Sequence, residues 1–158
     1  YEKQNGIEIF GEAEDLTIIA TSWMVAEANV VKNKLAEEGF SVGVVSVSDL
    51  KAPLPKEVGD LISKSGRVLV ADNDWRYCGY GAELASQIYE QHFSKLKHPI
   101  VRLGFEDTHC PTARVLENEF YCDANDIISS INENFKFSFG KVDPKLLFSH
   151  ENKFRGPF

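Results

Sequence analysis

Residues 67–85 read RVLVADNDWRYCGYGAELA: a short apolar run (Val68, Leu69, Val70, Ala71), a polar and aromatic loop, and a glycine pair that opens a helix. An apolar run this short, with Gly66 before it and Asp72, Asn73 and Asp74 after it, fits a strand buried on both faces. Gly79 and Gly81 permit a sharp turn, and residues 82–88 then carry helical spacing in strong helix formers. The order strand, loop, helix places Trp75, Arg76 and Tyr77 at the carboxyl end of a strand. In open α/β sheets that is where ligands or partners bind.

Working outward, residues 16–21 (LTIIAT) form a strand rich in β-branched residues, and Thr21 and Ser22 are candidate caps for the helix that follows. Met24, Ala28, Val31 and Leu35 recur at helical spacing, with Glu27, Lys32, Lys34 and Glu38 expected on the opposite face. Gly39 stands where a helix C-cap belongs. Residues 40–47 are a second strand, and a single helix between two strands implies a right-handed βαβ crossover. Pro53 and Pro55 break the chain, and Pro55 can open a helix through Val58, Leu61 and Ile62 to Lys64.

Downstream of the central stretch, residues 100–104 read as a short strand. Residues 105–113 form a loop carrying His109, Cys110 and Pro111, and one or two helical turns span 113–119. Residues 123–131 are an amphipathic helix with Asp123 or Asn125 as cap. Strands alternating with helices predict an α/β fold, a three-layer α/β/α sandwich. The expected organisation is an acidic lead-in over 1–15, a folded domain over 16–135, and a tail over 136–158. In the tail Phe137, Phe139, Phe148, Phe154 and Phe158 alternate with Lys and Gly, either draped on the domain or mobile.

The charge balance excludes some function classes. With 17 Lys and Arg against 24 Asp and Glu, the net charge is −7, which argues against a phosphate-binding nucleic-acid surface. No apolar run approaches the roughly 20 residues a membrane span needs. No basic-then-apolar leader opens the sequence, and a start at Tyr1 in an acidic stretch reads as the middle of a longer polypeptide. The 3 cysteines (Cys78, Cys110, Cys122) have neither a paired pattern nor metal-ligand spacing, as expected in a reducing compartment.

Several residues invite a chemical reading, and each has a plainer one. Asp72, Asp74 and Glu83 could serve acid–base chemistry; strand ending and loop amides for Asp72, and the helix N-terminus for Glu83, are the favoured account. Cys110 beside His109 has the composition of a thiolate–imidazole pair, but neighbours in a loop rarely face one another. His92, His98 and His150 are too dispersed for a site. The glycine pair could cradle a phosphate, but no Lys, Ser or third glycine follows at phosphate-loop spacing. Trp75, Arg76 and Tyr77 have the composition of an interface anchor, the plainer reading being that they fold back over the sheet edge.

Four stretches, in order, resemble one family. They are Gly11-Glu12-Ala13 leading into Asp15-Leu16-Thr17-Ile18-Ile19; Asp49-Leu50-Lys51-Ala52-Pro53-Leu54; Asp72 and Trp75 followed by Cys78-Gly79-Tyr80-Gly81-Ala82-Glu83; and Asp107 through Pro111 with Ala113, Leu116 and Glu117. This series is similar to the C-terminal domain of transketolase-like thiamine-diphosphate enzymes, most of all the beta subunit of the decarboxylating component of 2-oxoacid dehydrogenase complexes. The resemblance covers roughly residues 8–135. Cys78 departs from it where the family usually has the first glycine of its pair, and His109 and Thr112 stand in place of the family's first Pro and its usual aromatic residue. Lys97 and His98 reverse the charge of a connector that is acidic in those beta subunits.

The resemblance implies a five-stranded, mostly parallel mixed sheet with one antiparallel edge strand. It also implies a non-catalytic domain for assembly and dimerisation, with no catalytic, cofactor-binding or metal residue of its own. Thiamine diphosphate and magnesium would belong to the whole enzyme rather than to this fragment. The implied partners are an upstream pyrimidine-binding domain, an alpha subunit or its equivalent, and a second copy in a homodimer. Docking of an acyltransferase is disfavoured by the reversed connector charge. The implied compartment is the cytoplasm, or the mitochondrial matrix in a eukaryote. Asp74, Trp75, Arg76, Tyr77 and Tyr80 are the expected partner interface. The alternative is a stand-alone binding module taking a small anionic ligand or nucleotide in a crevice at residues 75–81.

Overall fold

The computed structural model describes residues 6–147. Five strands, β1 (Ile7–Phe10), β2 (Leu16–Thr21), β3 (Val42–Val47), β4 (Val68–Trp75) and β5 (Val101–Phe105), form one sheet in the order β1-β3-β2-β4-β5. β3, β2, β4 and β5 run parallel, and β1 pairs antiparallel with β3, with Ile7 opposite Val47 and Phe10 opposite Val44. The sandwich and its mixed five-stranded sheet are therefore as expected.

The central strands are buried on both faces. On β2, Leu16, Ile18 and Ala20 pack with helices α1 (Met24–Glu37) and α5 (Ala124–Phe135), whereas Ile19 packs with α2 (Lys56–Ser65) and α3 (Tyr80–His92). β4 divides likewise: Leu69 and Ala71 face one layer, Val68 and Val70 the other. Each such side chain contributes about 1.5–3 kcal/mol by leaving water, which is why unbroken apolar runs rather than alternating ones mark these strands. A short helix α4 (Arg114–Phe120) follows β5.

Helix ends follow local chemistry where the chain supplies it. Gly39, at φ 77°, terminates α1: its N–H donates to the Ala36 carbonyl and the Phe40 N–H to that of Leu35, while Phe40 packs into the same apolar cluster as Leu35. Asp123 caps α5, accepting from the Asn125 and Asp126 amides, and Asp126 returns the bond from the Asp123 amide.

Several local expectations are corrected. Residues 7–10, assigned by sequence to the lead-in, are the sheet's edge strand: the backbone pairs with β3, Ile7 packs into the α2–α3 layer and Phe10 against the α1–α5 layer. Neither Thr21 nor Ser22 caps α1: Ser22 is left-handed (φ 47°), α1 begins after Trp23 without a side-chain cap, and the Thr21 hydroxyl is used elsewhere. Glu27 is fully buried rather than solvated, its Oε2 accepting from the Ala124 amide at 3.2 Å. β4 does not stop at Ala71 but runs to Trp75 through a bulge, with Trp75 opposite Phe105. Residues 137–147 lie on the domain, with Val142 and Leu147 buried in the α1–α5 layer; Phe148, His150, Phe154 and Phe158 lie outside the described residues.

Candidate functional site

The chain leaves β2 through α1 toward β3 on one side, and leaves β4 through α3 toward β5 on the other. The crevice between the carboxyl ends of β2 and β4 is thus the topological switch point, where open α/β sheets usually receive a ligand. Here Asp72 spans it. Its Oδ1 accepts a short hydrogen bond from the Thr21 hydroxyl at the end of β2, and its Oδ2 accepts from the Gly81 amide at 3.1 Å, in the first turn of α3. Asp72 and Thr21 are both buried.

Asp74 repeats the device one pleat further on. Its Oδ1 accepts from the Trp75 amide at 2.7 Å and its Oδ2 from the Tyr80 amide at 3.4 Å. Two carboxylates therefore occupy the first N–H groups of α3, where the positive end of the helix dipole favours them. The hairpin between them is tight: a Cβ on Gly79 would collide with the Trp75 carbonyl oxygen, so this position requires glycine. Cys78, by contrast, keeps the left-handed conformation (φ 59°) without being glycine.

The five expected interface residues divide. Trp75, Arg76 and Tyr77 project from the edge, with Tyr77 at 77% exposure, while Asp74 and Tyr80 turn inward and frame them. Trp75 is half exposed: its indole N–H donates to the Thr108 carbonyl at 2.9 Å, and its ring meets Phe105 edge-on. The Arg76 carbonyl accepts from Arg102 Nη1 at 2.8 Å. Tyr80 packs against the α2–α3 layer. Burial, then the Asp72, Glu83 and Asp49 charges, holds its phenol above the usual range.

The other chemistry-bearing residues have structural partners. Cys110 Sγ lies 3.6 Å from the Tyr121 hydroxyl, which this contact holds above the usual phenol range. Cys122 donates to the Gly104 carbonyl at 3.3 Å, and burial pushes its thiol up to about 12. The His92 ring occupies the space a side chain at Gly59 would need, which lets α2 and α3 approach. His98 meets Phe135 edge-on. Lys97, the reversed charge of the connector, has a local use: its stem covers Gly66 and its Nζ donates to the Ser65 carbonyl at 3.2 Å, at the negative end of α2.

The model of the family described as "Transketolase, C-terminal domain" matches residues 6–127. The chain belongs to the transketolase C-terminal domain family. Pyruvate dehydrogenase E1 component subunit beta of Staphylococcus epidermidis (strain RP62A) is 30% identical over 129 residues, covering 80% of this chain and 38% of that protein. The same subunit of Staphylococcus aureus (strain Mu50) is 31% identical over 129 residues, with the same coverage, 80% and 38%. The chain thus spans less than half the length of these curated relatives.

Two solved structures share the fold. A split-gene transketolase, described as an inactive β4 tetramer, has a TM-score of 0.67 at 24% identity over 82% of this chain and 41% of its own. Transketolase from Campylobacter jejuni has a TM-score of 0.53 at 18% identity, over 82% of this chain and 19% of its own.

The carboxyl edge of this transketolase C-terminal domain does not fit a diphosphate. The amides that would receive it are held by Asp72 and Asp74, whose charges repel an anion. Among the described residues, no group of three or more His, Cys, Asp or Glu side chains could hold a metal ion. No helix among them is long and apolar enough to cross a membrane.

Proposed function

We propose that this chain is the C-terminal assembly domain of a thiamine-diphosphate-dependent 2-oxoacid dehydrogenase beta subunit, and that it carries no chemistry of its own. The observation that carries the reading is the pair of carboxylates at the start of α3. They fill the position an anionic ligand would take, and they brace a loop whose aromatic and cationic side chains point outward. In the whole enzyme, thiamine diphosphate and magnesium are held by other domains.

The contact surface is Trp75, Arg76 and Tyr77, with Asp74 and Tyr80 as its frame, and it meets a second copy of the domain. The remaining partners are an upstream pyrimidine-binding domain and an alpha subunit. Docking of an acyltransferase through residues 96–99 is weakened because Lys97 is basic and already committed to the end of α2. The setting is the cytoplasm, or the mitochondrial matrix in a eukaryote.

Sedimentation equilibrium tests the reading. The chain self-associates with a midpoint that Trp75→Ala and Tyr77→Ala each weaken by more than tenfold, the scale of an interface anchor. Titration calorimetry with thiamine diphosphate and magnesium gives no heat. A saturable cofactor isotherm, or self-association indifferent to both substitutions, would overturn the assignment.

A further inference from the structure

The edge of the sheet opposite the candidate interface joins the two ends of the described chain. The residues leading into β2 are not a loose connector. Asp15 and Leu16 both donate their amides to the Ser41 carbonyl (3.0 and 3.3 Å), Asp15 Oδ2 accepts from the Ser41 amide at 2.8 Å, and the Ser41 hydroxyl donates to the Glu12 carbonyl at 2.8 Å. Lys64, at the end of α2, pairs with Glu12 at 3.1 Å and Glu14 at 2.5 Å. The acidic character of this stretch thus has a specific use: its side chains link the incoming segment to Ser41, just before β3, and to Lys64 at the end of α2.

The strap formed by residues 137–147 reaches the same edge from the other direction. Lys136, left-handed at φ 63°, turns the chain back at the end of α5. Phe137 and Phe139 stack on each other (5.2 Å between centroids), and both meet Phe40, at 4.8 and 4.9 Å. Asn132 clamps the backbone of Phe139 from both sides, donating to its carbonyl (3.0 Å) and accepting from its amide (2.9 Å). Asn125 Oδ1 accepts from the Val142 amide at 2.8 Å. The family model ends at residue 127, before the strap begins.

Arg67 touches both parts. Its guanidinium lies 5.5 Å from the centre of the Phe137 ring, and its Nη1 donates to the Asp15 carbonyl at 3.3 Å. A second route runs beside it, because Phe40, the floor under both strap aromatics, directly precedes Ser41, the anchor of the incoming segment. We infer that the strap and the segment leading into β2 form one mechanical unit coupled through Arg67 and Phe40, so that seating the strap fixes the direction in which the chain enters the domain. This goes beyond the assembly reading and stands without it.

The test perturbs one side and reads the other. Phe137→Ala removes that ring's contacts with Arg67 and Phe40, leaves Phe139 on Phe40, and alters none of the hydrogen-bonding groups that hold residues 12–16. Native-state hydrogen exchange on the whole chain then follows the amides of Glu14, Asp15 and Leu16, with Phe139 and Val142 reporting the strap. Coupling predicts that exchange at the three incoming amides rises about fivefold or more in Phe137→Ala, the scale of a cation–π contact. Arg67→Lys, which keeps the charge but not the planar face, should move both segments. Ser138→Ala, on the exposed side of the strap, controls for substitution as such and should move neither. Faster exchange at Phe139 and Val142 with unchanged rates at Glu14–Leu16 would refute the coupling. So would rapid exchange of the strap amides in the unaltered chain.

Discussion

Replacing Asp72 tests the closed switch point most directly. The carboxylate is 8% exposed and has two partners on different elements, the Thr21 hydroxyl of β2 and the Gly81 amide of α3. A buried hydrogen bond to a charged group is worth about 1.5–3 kcal/mol, and a lost helix cap costs about 1 kcal/mol. Asp72→Ala removes both and leaves the Thr21 hydroxyl buried without its acceptor, so a loss of about 3 kcal/mol is expected. For a domain of this size that lowers Tm by about 6–12 °C. Thr21→Val should cost about 2 kcal/mol, because it leaves a buried carboxylate oxygen without its donor. The double variant should then fall short of the sum by about 1.5 kcal/mol, the signature of two groups that act on each other. Urea unfolding of the four proteins closes the cycle. A loss below about 0.5 kcal/mol for Asp72→Ala, or strict additivity, would refute the claim that this carboxylate ties β2 to α3.

Other expectations follow from single positions. Cys78→Gly relieves a left-handed residue at a cost of about 0.5–1 kcal/mol in chain entropy and should leave Tm unchanged or slightly raised, whereas Cys78→Val should lower it, as thermal melts will show. Alkylation at pH 8 followed by mass spectrometry should label exposed Cys78 and Cys110 in the folded protein and Cys122 far more slowly until denaturant is added, since its thiol is partly buried and pushed up to about 12. Asp126 sits above its ordinary carboxyl value, chiefly through burial. An acid raised on folding contributes stability that is present below its unfolded pKa and lost as pH rises through the folded one. Urea midpoints of Asp126→Asn should therefore gain on those of the native chain as pH climbs through the carboxylate range.

The sheet was legible because its signals are local and redundant. Runs such as Leu16–Thr21 and residues 68–71 are apolar but for two threonines, Gly39 marks a helix end, and Asp123 stands three residues before Asp126. β1 carried a weaker signal, Ile7-Glu8-Ile9-Phe10 between two glycines, hidden by the acidic residues around it. Glu27 was misplaced because its charge was given more weight than its position: it falls three residues after Met24 and one before Ala28, on the buried face, where it meets the α5 amide it caps. The Thr21–Asp72 link lay beyond sequence reading for another reason. Its partners are 51 residues apart, and a hydroxyl before a helix is more often a cap than a cross-strand donor.

That link also bears on how a fold with a ready-made ligand crevice would serve the assembly role proposed for it. Opening the switch point to a small molecule means separating β2 from the start of α3 at the Asp72 carboxylate. If that costs about 3 kcal/mol, any ligand's apparent affinity falls by about 150-fold before its own contacts count. An anion meets the further opposition of Asp72 and Asp74, which hold the amides it would use. A protein surface pays neither cost, because the side chains of Trp75, Arg76 and Tyr77 are exposed on the braced loop and can be covered without opening it. The same two carboxylates that exclude a ligand hold that hairpin in one shape, so less ordering entropy opposes association. Closure of the crevice and presentation of the aromatic edge are thus two consequences of one arrangement. A variant that loosens Asp72 should weaken self-association even with Trp75, Arg76 and Tyr77 intact.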